Sequence, residues 1–236
     1  MLLQVAELEA GYGRKRVIHD VTLEVGEGEI VAVLGHNGAA KSTLLNAIFG
    51  IVAPTRGRVM FRGRDITGQK PSNNLREGIG YAPQGAEVFK TLSVTDNLML
   101  GGFCLKDQKQ VAESVQRVQA LFPALHARRQ VRAGALSGGE RRMLSLGMLL
   151  VASPSLVMLD EPSGGLSPLM VESMYAAIRE VAAKLNASVL LIEQDTKHAL
   201  SVASKVYVLA NGRVTFKGVP GELEDGAALS QLLLGY

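Results

Sequence analysis

The 236-residue chain has no tryptophan and a single cysteine, Cys104. One thiol can form neither an internal disulfide nor a cysteine-built zinc site, and this fits a reducing compartment. Aromatic residues make up only 5% of the chain. None interleave with Arg128-Arg129, Arg132 or Arg141-Arg142, so the stacking platforms of a nucleic-acid binder are missing and these arginines read as solvated faces. A dominant charge is missing too, since 25 Lys and Arg stand against 22 Asp and Glu. That balance argues against a nucleic-acid partner. His19, His36 and His126 have no carboxylate or histidine at metal-binding spacing. The N-terminus, Met1-Leu2-Leu3-Gln4-Val5-Ala6-Glu7, lacks a basic segment, and its apolar run is too short for a signal peptide. Met143 to Leu159 carries no charge, but Ser153-Pro154-Ser155 interrupts it. It reads as a buried helix followed by a buried strand rather than a membrane span. A soluble chain is expected, with any membrane role coming through a partner. No internal repeat, low-complexity tract or linker divides it.

Apolar residues are what the chain has in quantity, at 47%, enough for a sizeable core. Val21, Leu23 and Val25 alternate with polar residues, which predicts a half-buried strand. Gly26-Glu27-Gly28-Glu29 turns the chain into Ile30-Val31-Ala32-Val33-Leu34, a continuous apolar run. Pro54-Thr55-Arg56-Gly57 predicts a turn before a short strand at Val59-Met60-Phe61. From about Gly85 to Ser153 strand signals are few. Val111, Val115, Val118, Leu121 and Phe122 share a helical face, and a further helix is predicted from Glu140 to Val151. Strands return at Leu156–Leu159 and Ser188–Ile192, around an amphipathic helix built on Val171, Met174, Tyr175, Ile178, Val181 and Leu185. Fully apolar strands alternating with helices imply a parallel sheet covered on both faces. Asn211-Gly212 predicts a tight hairpin turn near the end.

Three clusters carry chemistry. Gly35-His36-Asn37-Gly38-Ala39-Ala40-Lys41-Ser42-Thr43 follows the apolar strand and precedes Leu44, Leu45, Ile48 and Phe49 at helical spacing. Strand, small-residue loop and helix make a phosphate cradle, with backbone N–H groups and the helix start facing the phosphates. Lys41 would reach the β- and γ-phosphates, and Ser42 would hold Mg²⁺. The expected glycine before the lysine is Ala40. If φ is positive there, strain or a turned peptide is expected to weaken nucleotide binding about tenfold or more. If φ is negative, nothing changes. The second cluster is Leu156 to Glu161, a buried strand delivering two carboxylates to its C-terminal end, where open α/β sheets bind ligands. Asp160 would hold Mg²⁺ and Glu161 would polarise a water. Alone, an ordinary solvated Asp-Glu-Pro turn explains it equally well. The third is Leu136-Ser137-Gly138-Gly139-Glu140 at a helix start. A capping box between Ser137 and Glu140 is one explanation, and a second anion-binding end, used by a second subunit, is the other.

Together these stretches resemble the ATP-binding-cassette (ABC) ATPase subunits of membrane transporters, over essentially the whole chain. Gly35 to Thr43 matches the Walker A loop, Leu156 to Glu161 the Walker B strand, and Leu136 to Glu140 the LSGGE signature. Gln84 falls at the Q-loop glutamine, and Tyr12 at the aromatic that stacks on adenine. Ile79 to Gly85, Val88-Phe89, Leu92 to Leu98, Asp160 to Pro168 and Ile192-Glu193-Gln194 are similar to the ATPase subunits of branched-chain amino-acid importers. Where the family usually has a histidine touching γ-phosphate this chain has Gln194, which cannot titrate near neutral pH. His198, one helical turn on, reads as a helix-surface residue, with a replacement for that histidine as the alternative. Ser167-Pro168 stands where many cassettes have an aspartate.

The resemblance implies an α/β fold: a P-loop NTPase core with a mostly parallel sheet, an N-terminal antiparallel β part and an inserted helical subdomain. Residues 1–84 and 154–236 would form the core, and residues 85–153 the subdomain carrying the signature. It implies ATP and Mg²⁺ as cofactors, with Ser42, Gln84 and Asp160 about the metal and Glu161, Gln84 and Gln194 in catalysis. Tyr12, Gly35, His36, Asn37, Gly38, Ala39, Ala40, Lys41, Ser42 and Thr43 would bind nucleotide, completed by Ser137, Gly138 and Gly139 of a second ABC ATPase subunit, identical or paralogous. Transmembrane permease subunits would dock near Val88-Phe89, and a periplasmic solute-binding protein would act indirectly. The location implied is peripheral, on the cytoplasmic face of the inner membrane. The rival expectation is a nucleotide-binding or assembly subunit with impaired hydrolysis beside an active paralogue. A cassette protein of translation or DNA repair is more distant, because those carry two cassettes or long insertions.

Overall fold

A computed structural model describes residues 1–85, 88–105, 107–223 and 232–233. In chain order the strands are β1 (Leu3–Tyr12), β2 (Lys15–Val25), β3 (Ile30–Leu34), β4 (Pro54–Phe61), β5 (Arg64–Asp65), β6 (Ile79–Ala82), β7 (Leu156–Asp160), β8 (Ser188–Glu193), β9 (Lys205–Ala210) and β10 (Arg213–Gly218). The helices are α1 (Lys41–Phe49), α2 (Pro71–Glu77), α3 (Val94–Gly101), α4 (Gln108–Leu121), α5 (Pro123–Ala127), α6 (Gly138–Val151), α7 (Pro168–Leu185) and α8 (Thr196–Val202).

The strands form two sheets. An antiparallel sheet has the order β2-β1-β4-β5, and a six-stranded sheet has the order β10-β9-β3-β8-β7-β6. Within the second sheet every pairing from β9 to β6 is parallel, and only β10 runs antiparallel. The continuous apolar runs of β3, β7 and β8 follow from this topology, since each strand is buried on both faces. Ala32, Leu34, Val157, Leu159, Val189 and Leu191 join a core shared with α3, α4, α6 and α7. Val31, Val33, Met158, Leu190 and Ile192 point the other way, into a second core with α1 and the antiparallel sheet. Between residues 88 and 153 the described residues are helical or irregular, apart from an isolated bridge between Ser93 and Arg132. None of the described helices is long and apolar enough to cross a membrane.

Two elements differ from the reading of the sequence. Pro54-Thr55-Arg56-Gly57 is the first half of β4 rather than a turn. Its residues pair with β1, Pro54 opposite Ala10 and Arg56 opposite Glu9. Gly57 has φ 87° beside a register shift, and a Cβ there would lie 2.4 Å from the Glu7 carbonyl oxygen. The glycine makes a bulge, and Pro54 opens a strand, where a missing N–H is tolerated. Helix α6 begins at Gly138, two residues before the predicted Glu140, because Ser137 and Glu140 form a reciprocal capping box. The Asn211-Gly212 turn is as expected, with φ values of 48° and 74°. Of the core range expected to reach 236, residues 224–231 and 234–236 lie outside the described residues.

Candidate nucleotide site

β3 lies in the interior of the six-stranded sheet and ends at the loop of residues 35–40. Gly35 has no room for a side chain, because a Cβ would stand 2.5 Å from the Leu209 carbonyl oxygen. Gly38 takes φ 86°, which glycine adopts without strain. Ala39 is fully buried, while His36 and Asn37 are exposed. Ala40 is the N-cap of α1, with φ 74°, ψ 21° and no side-chain cap. The first N–H groups of α1 are therefore left for a ligand.

The loop opens on a cavity of about 320 Å³. Asn37, Gly38, Ala40, Lys41, Ser42 and Thr43 line one side, and Tyr12, Val17, Gln84 and Glu161 the other. Tyr12 is 56% exposed, with its hydroxyl 3.5 Å from Thr43 Oγ1. Lys41 is 4% exposed and donates to the carbonyls of Gly35 and His36, at 2.8 and 3.1 Å. It also faces Glu161 Oε1 at 3.2 Å.

Three donors converge on the Glu161 carboxylate. Besides Lys41, Gln84 Nε2 donates to Oε2 at 3.0 Å and Gln194 Nε2 donates to Oε1 at 2.7 Å. These residues come from segments following β3, β6, β7 and β8, the C-terminal edge where parallel sheets bind ligands. The Glu161 backbone is left-handed, φ 48°, and its N–H donates to the Ile192 carbonyl at 2.9 Å. Such strain in a non-glycine residue persists where the surroundings over-determine it.

Asp160 is 4% exposed, and its Oδ1 has no hydrogen-bond partner. Oδ2 accepts from the Tyr81 hydroxyl at 3.5 Å. Burial pushes the Asp160 carboxyl up, opposed by the nearby Ser42 hydroxyl; Glu161 adds to the rise, while Lys41 and Tyr81 oppose it. Burial, then the Asp160 charge, pushes the Tyr81 hydroxyl up as well.

Every candidate on this chain's own side of the site is thus at or beside one cavity. Ser137, Gly138 and Gly139 are not brought to it. They sit at the start of α6, with Ser137 and Gly138 exposed. Arg142 corrects an expectation, because it is not solvated but half-buried, donating to the carbonyls of Glu161 and Pro162 at 2.9 Å each. It ties the signature helix to the turn carrying Glu161. Arg128, at 48% side-chain exposure, does lie on the surface, pairing with Glu140 at 3.2 Å. Three further contributors went unread. Val17 lines the cavity, and Asn46 accepts from Tyr81 at 3.1 Å, which orients the phenol toward Asp160. Tyr81 lies in the family-like stretch before Gln84 but was given no role there, and a lone polar residue inside a helix, such as Asn46, carries no signal of such a contact.

Comparison with known proteins agrees with this geometry. Residues 18–164 match the ABC transporter family. The chain is 38% identical to the high-affinity branched-chain amino acid transport ATP-binding protein BraG of Pseudomonas aeruginosa, over 97% of this chain and 94% of that one. It is 35% identical to the lipopolysaccharide export system ATP-binding protein LptB of Acidithiobacillus ferridurans, over 99% and 97%. Its fold superposes on the ADP conformation of MJ1267, an ATP-binding cassette of an ABC transporter, with a TM-score of 0.89 at 24% identity, covering 100% of this chain and 99% of that one. The chain belongs to the ABC transporter family and is an ATP-binding, ATP-hydrolysing cassette.

Proposed function

We propose that this cassette powers an importer of branched-chain amino acids. The likeness to BraG supports that cargo, and the likeness to LptB, whose name gives lipopolysaccharide export, is its competitor. Residues 1–84 and 154–236 act as the nucleotide-binding core, and residues 85–153 as the helical subdomain. A second ABC ATPase subunit brings its Ser137, Gly138 and Gly139 to the phosphates, because these residues lie outside the cavity of their own chain. Permease subunits dock on the apolar face at Phe89, which is 54% exposed, and this holds the cassette at the cytoplasmic face of the inner membrane. A periplasmic binding protein delivers the solute.

The convergence of Lys41, Gln84 and Gln194 on Glu161 carries the mechanism. Glu161 neutralises the buried Lys41. An entering γ-phosphate offers Lys41 a more strongly charged partner, and the released carboxylate accepts a proton from water instead. Gln84 and Gln194 hold that carboxylate with neutral amides and so do not compete for the proton. The α1 N–H groups take phosphate oxygens, and Tyr12 stacks on adenine.

The residues fit Mg²⁺. Asp160 Oδ1 is a buried oxygen with no partner, and the Ser42 hydroxyl lies near the same carboxylate. Among the described residues no three His, Cys, Asp or Glu side chains could hold a metal by themselves. Magnesium needs none, being bound by one or two carboxylates together with substrate phosphates. Ser42, Asp160 and Gln84 would hold it, and it would supply charge against the β- and γ-oxygens.

The test is Glu161→Gln. Turnover should fall about 10²- to 10⁴-fold, with Mg-ATP affinity nearly unchanged, and an ATP-bound dimer should accumulate on size exclusion. Turnover at the original rate would remove Glu161 from the reaction. For the cargo, deleting the gene in its host should abolish uptake of labelled leucine, and retained uptake would favour the export reading. The second reading, a subunit with impaired hydrolysis, draws on Ala40, whose φ is positive.

A further inference from the structure

We propose that His198 is a positioning residue for hydrolysis, clamping the turn that carries Gln194 against α7 and so setting the Gln194–Glu161 contact. This rests on the assignment of Glu161 and Gln194 to the reaction. Helix α7 follows Glu161 after a short irregular segment, and α8 follows Gln194 with Asp195 as its N-cap. The two partners of the 2.7 Å bond between Gln194 and Glu161 therefore each precede one of these helices. How α7 sits on α8 influences how the two side chains meet.

His198 joins the two helices. Its Nδ1 is 2.6 Å from Asp195 Oδ2, and its Nε2 is 3.1 Å from Glu172 Oε1 on α7. Its ring stacks on Tyr175, with centroids 5.4 Å apart and planes at 22°. Glu172 and Tyr175 share one face of α7, at i and i+3. The other Asp195 oxygen accepts the His198 N–H at 3.2 Å, which caps α8. A deeper tie exists already: buried Glu193 accepts from the backbone N–H groups of Ser163 and Gln194, at 3.0 and 3.1 Å. That tie and the Glu161 N–H bond to the Ile192 carbonyl hold the strand ends, and the His198 contact fixes α8 against α7 beyond them.

The clamp depends on protonation. Both carboxylates only accept, so both ring nitrogens must donate, which only the imidazolium does. The groups facing it are Asp195 from its own turn and Glu172 and Tyr175 from α7. Glu193 of β8 is turned to Ser163 and Gln194, and β3, against which α8 also packs, is wholly apolar. The hydrogen bond to Asp195 raises the His198 pKa above the ordinary imidazole value; burial opposes this and Glu172 adds to it. A raised value means that the clamp is complete below the ordinary value of about 6.5 and weakens as pH rises through the raised one. Gln194 cannot titrate, so a histidine-like pH dependence in this site would enter through His198.

Two readouts test the proposal. In ¹⁵N-labelled protein without nucleotide, the Gln194 side-chain amide is followed from about pH 5 to about pH 9, a span that brackets the histidine titration. It should shift with His198, and that shift should vanish in His198→Gln. Over the same pH range with Mg-ATP added, kcat of the unmodified protein should fall about threefold through the same midpoint, the scale of one partly exposed ion pair, while KM stays constant. His198→Gln should flatten the profile, and Glu172→Gln, at an exposed position, should lower the midpoint in both readouts. A Gln194 amide that ignores pH, or that shifts identically in His198→Gln, overturns the clamp. A chain that never hydrolyses ATP would instead strike at the catalytic reading, and the amide would then decide the clamp alone.

Discussion

Two helix starts in this molecule are made of small residues and differ in how their free N–H groups are satisfied. At α1 no side chain caps the helix, and the preceding loop leaves its donors facing a cavity. At α6 the chain satisfies itself: Ser137 Oγ accepts from the Glu140 N–H at 3.2 Å, and Glu140 Oε2 accepts from the Ser137 N–H at 2.8 Å. The first is an anion site that is incomplete without a ligand. The second is stable alone and keeps only the Gly138 and Gly139 N–H groups in reserve. The cations differ less: Lys41 of α1 and Arg141 and Arg142 of α6 all donate to backbone carbonyls, but Lys41 lines the cavity and also faces the Glu161 carboxylate. One chain thus carries an open helix start and a self-satisfied one, and in the proposed function the second serves a partner subunit.

The largest effect should come from emptying the first site of its charge. Lys41→Met keeps much of the side-chain volume and removes the ammonium. Charge-assisted hydrogen bonds contribute roughly 1.5–3 kcal/mol each, so Mg-ATP affinity should fall roughly hundredfold. The variant also leaves Glu161 without its cation, and an uncompensated buried charge is destabilising. A lower urea midpoint should accompany the lost affinity. A Lys41→Met protein that binds Mg-ATP normally would break the contrast, because the two helix starts would then differ in geometry alone.

A smaller effect belongs to the second site. Ser137→Ala removes the cap of α6, and such caps are worth about 1 kcal/mol. Chemical denaturation should register that loss. Mg-ATP affinity of the single chain should stay the same, because Ser137 does not line the cavity. If, as proposed, hydrolysis draws on a partner's signature, turnover at saturating nucleotide should drop. A tenfold loss of single-chain affinity would mean that both helix starts serve one nucleotide within one chain.

Much of this contrast can be read before any fold is known, for a physical reason. β3, β7 and β8 are buried on both faces, so their apolar runs are unbroken and their ends stand out. Lys41-Ser42 and Asp160-Glu161 lie at or after such an end, where chemistry is expected. Gln84, Gln194 and Tyr12 were found through family resemblance. What stayed hidden depends on contacts between distant segments. Arg142 reaches Glu161 across 19 residues, and His198 reaches Glu172 across 26. Pro54 and Gly57 misled because turn chemistry and bulge chemistry use the same residues.

The smallest effect concerns Ala40, where the comparison is sharpest. Its φ of 74° fulfils the condition for strain, and left-handed backbone costs a non-glycine residue about 1–2 kcal/mol. Yet bonds within the chain set this backbone, from the Leu44 N–H to the Ala40 carbonyl at 3.1 Å and from the Gly212 N–H to the Ala39 carbonyl at 3.3 Å. The strain is therefore present in both the free and the bound protein and cancels from the binding equilibrium. It belongs to folding stability. Only contact between the methyl group and phosphate remains to weaken affinity. That methyl packs against the core beneath α1 as well as bordering the cavity. Ala40→Gly should relieve the strain and lose roughly 0.4–1 kcal/mol to the freer unfolded chain, leaving a net gain of about 1 kcal/mol or less. Its Mg-ATP dissociation constant should tighten by about threefold at most, against the tenfold that strain in the bound state alone would bring. Urea unfolding and nucleotide titration of the two proteins separate the cases. A tenfold tighter constant with unchanged stability would show that the methyl holds phosphate away, and would favour the subunit with impaired hydrolysis. A stability gain at nearly constant affinity would make Ala40 a tolerated residue in a working ATPase.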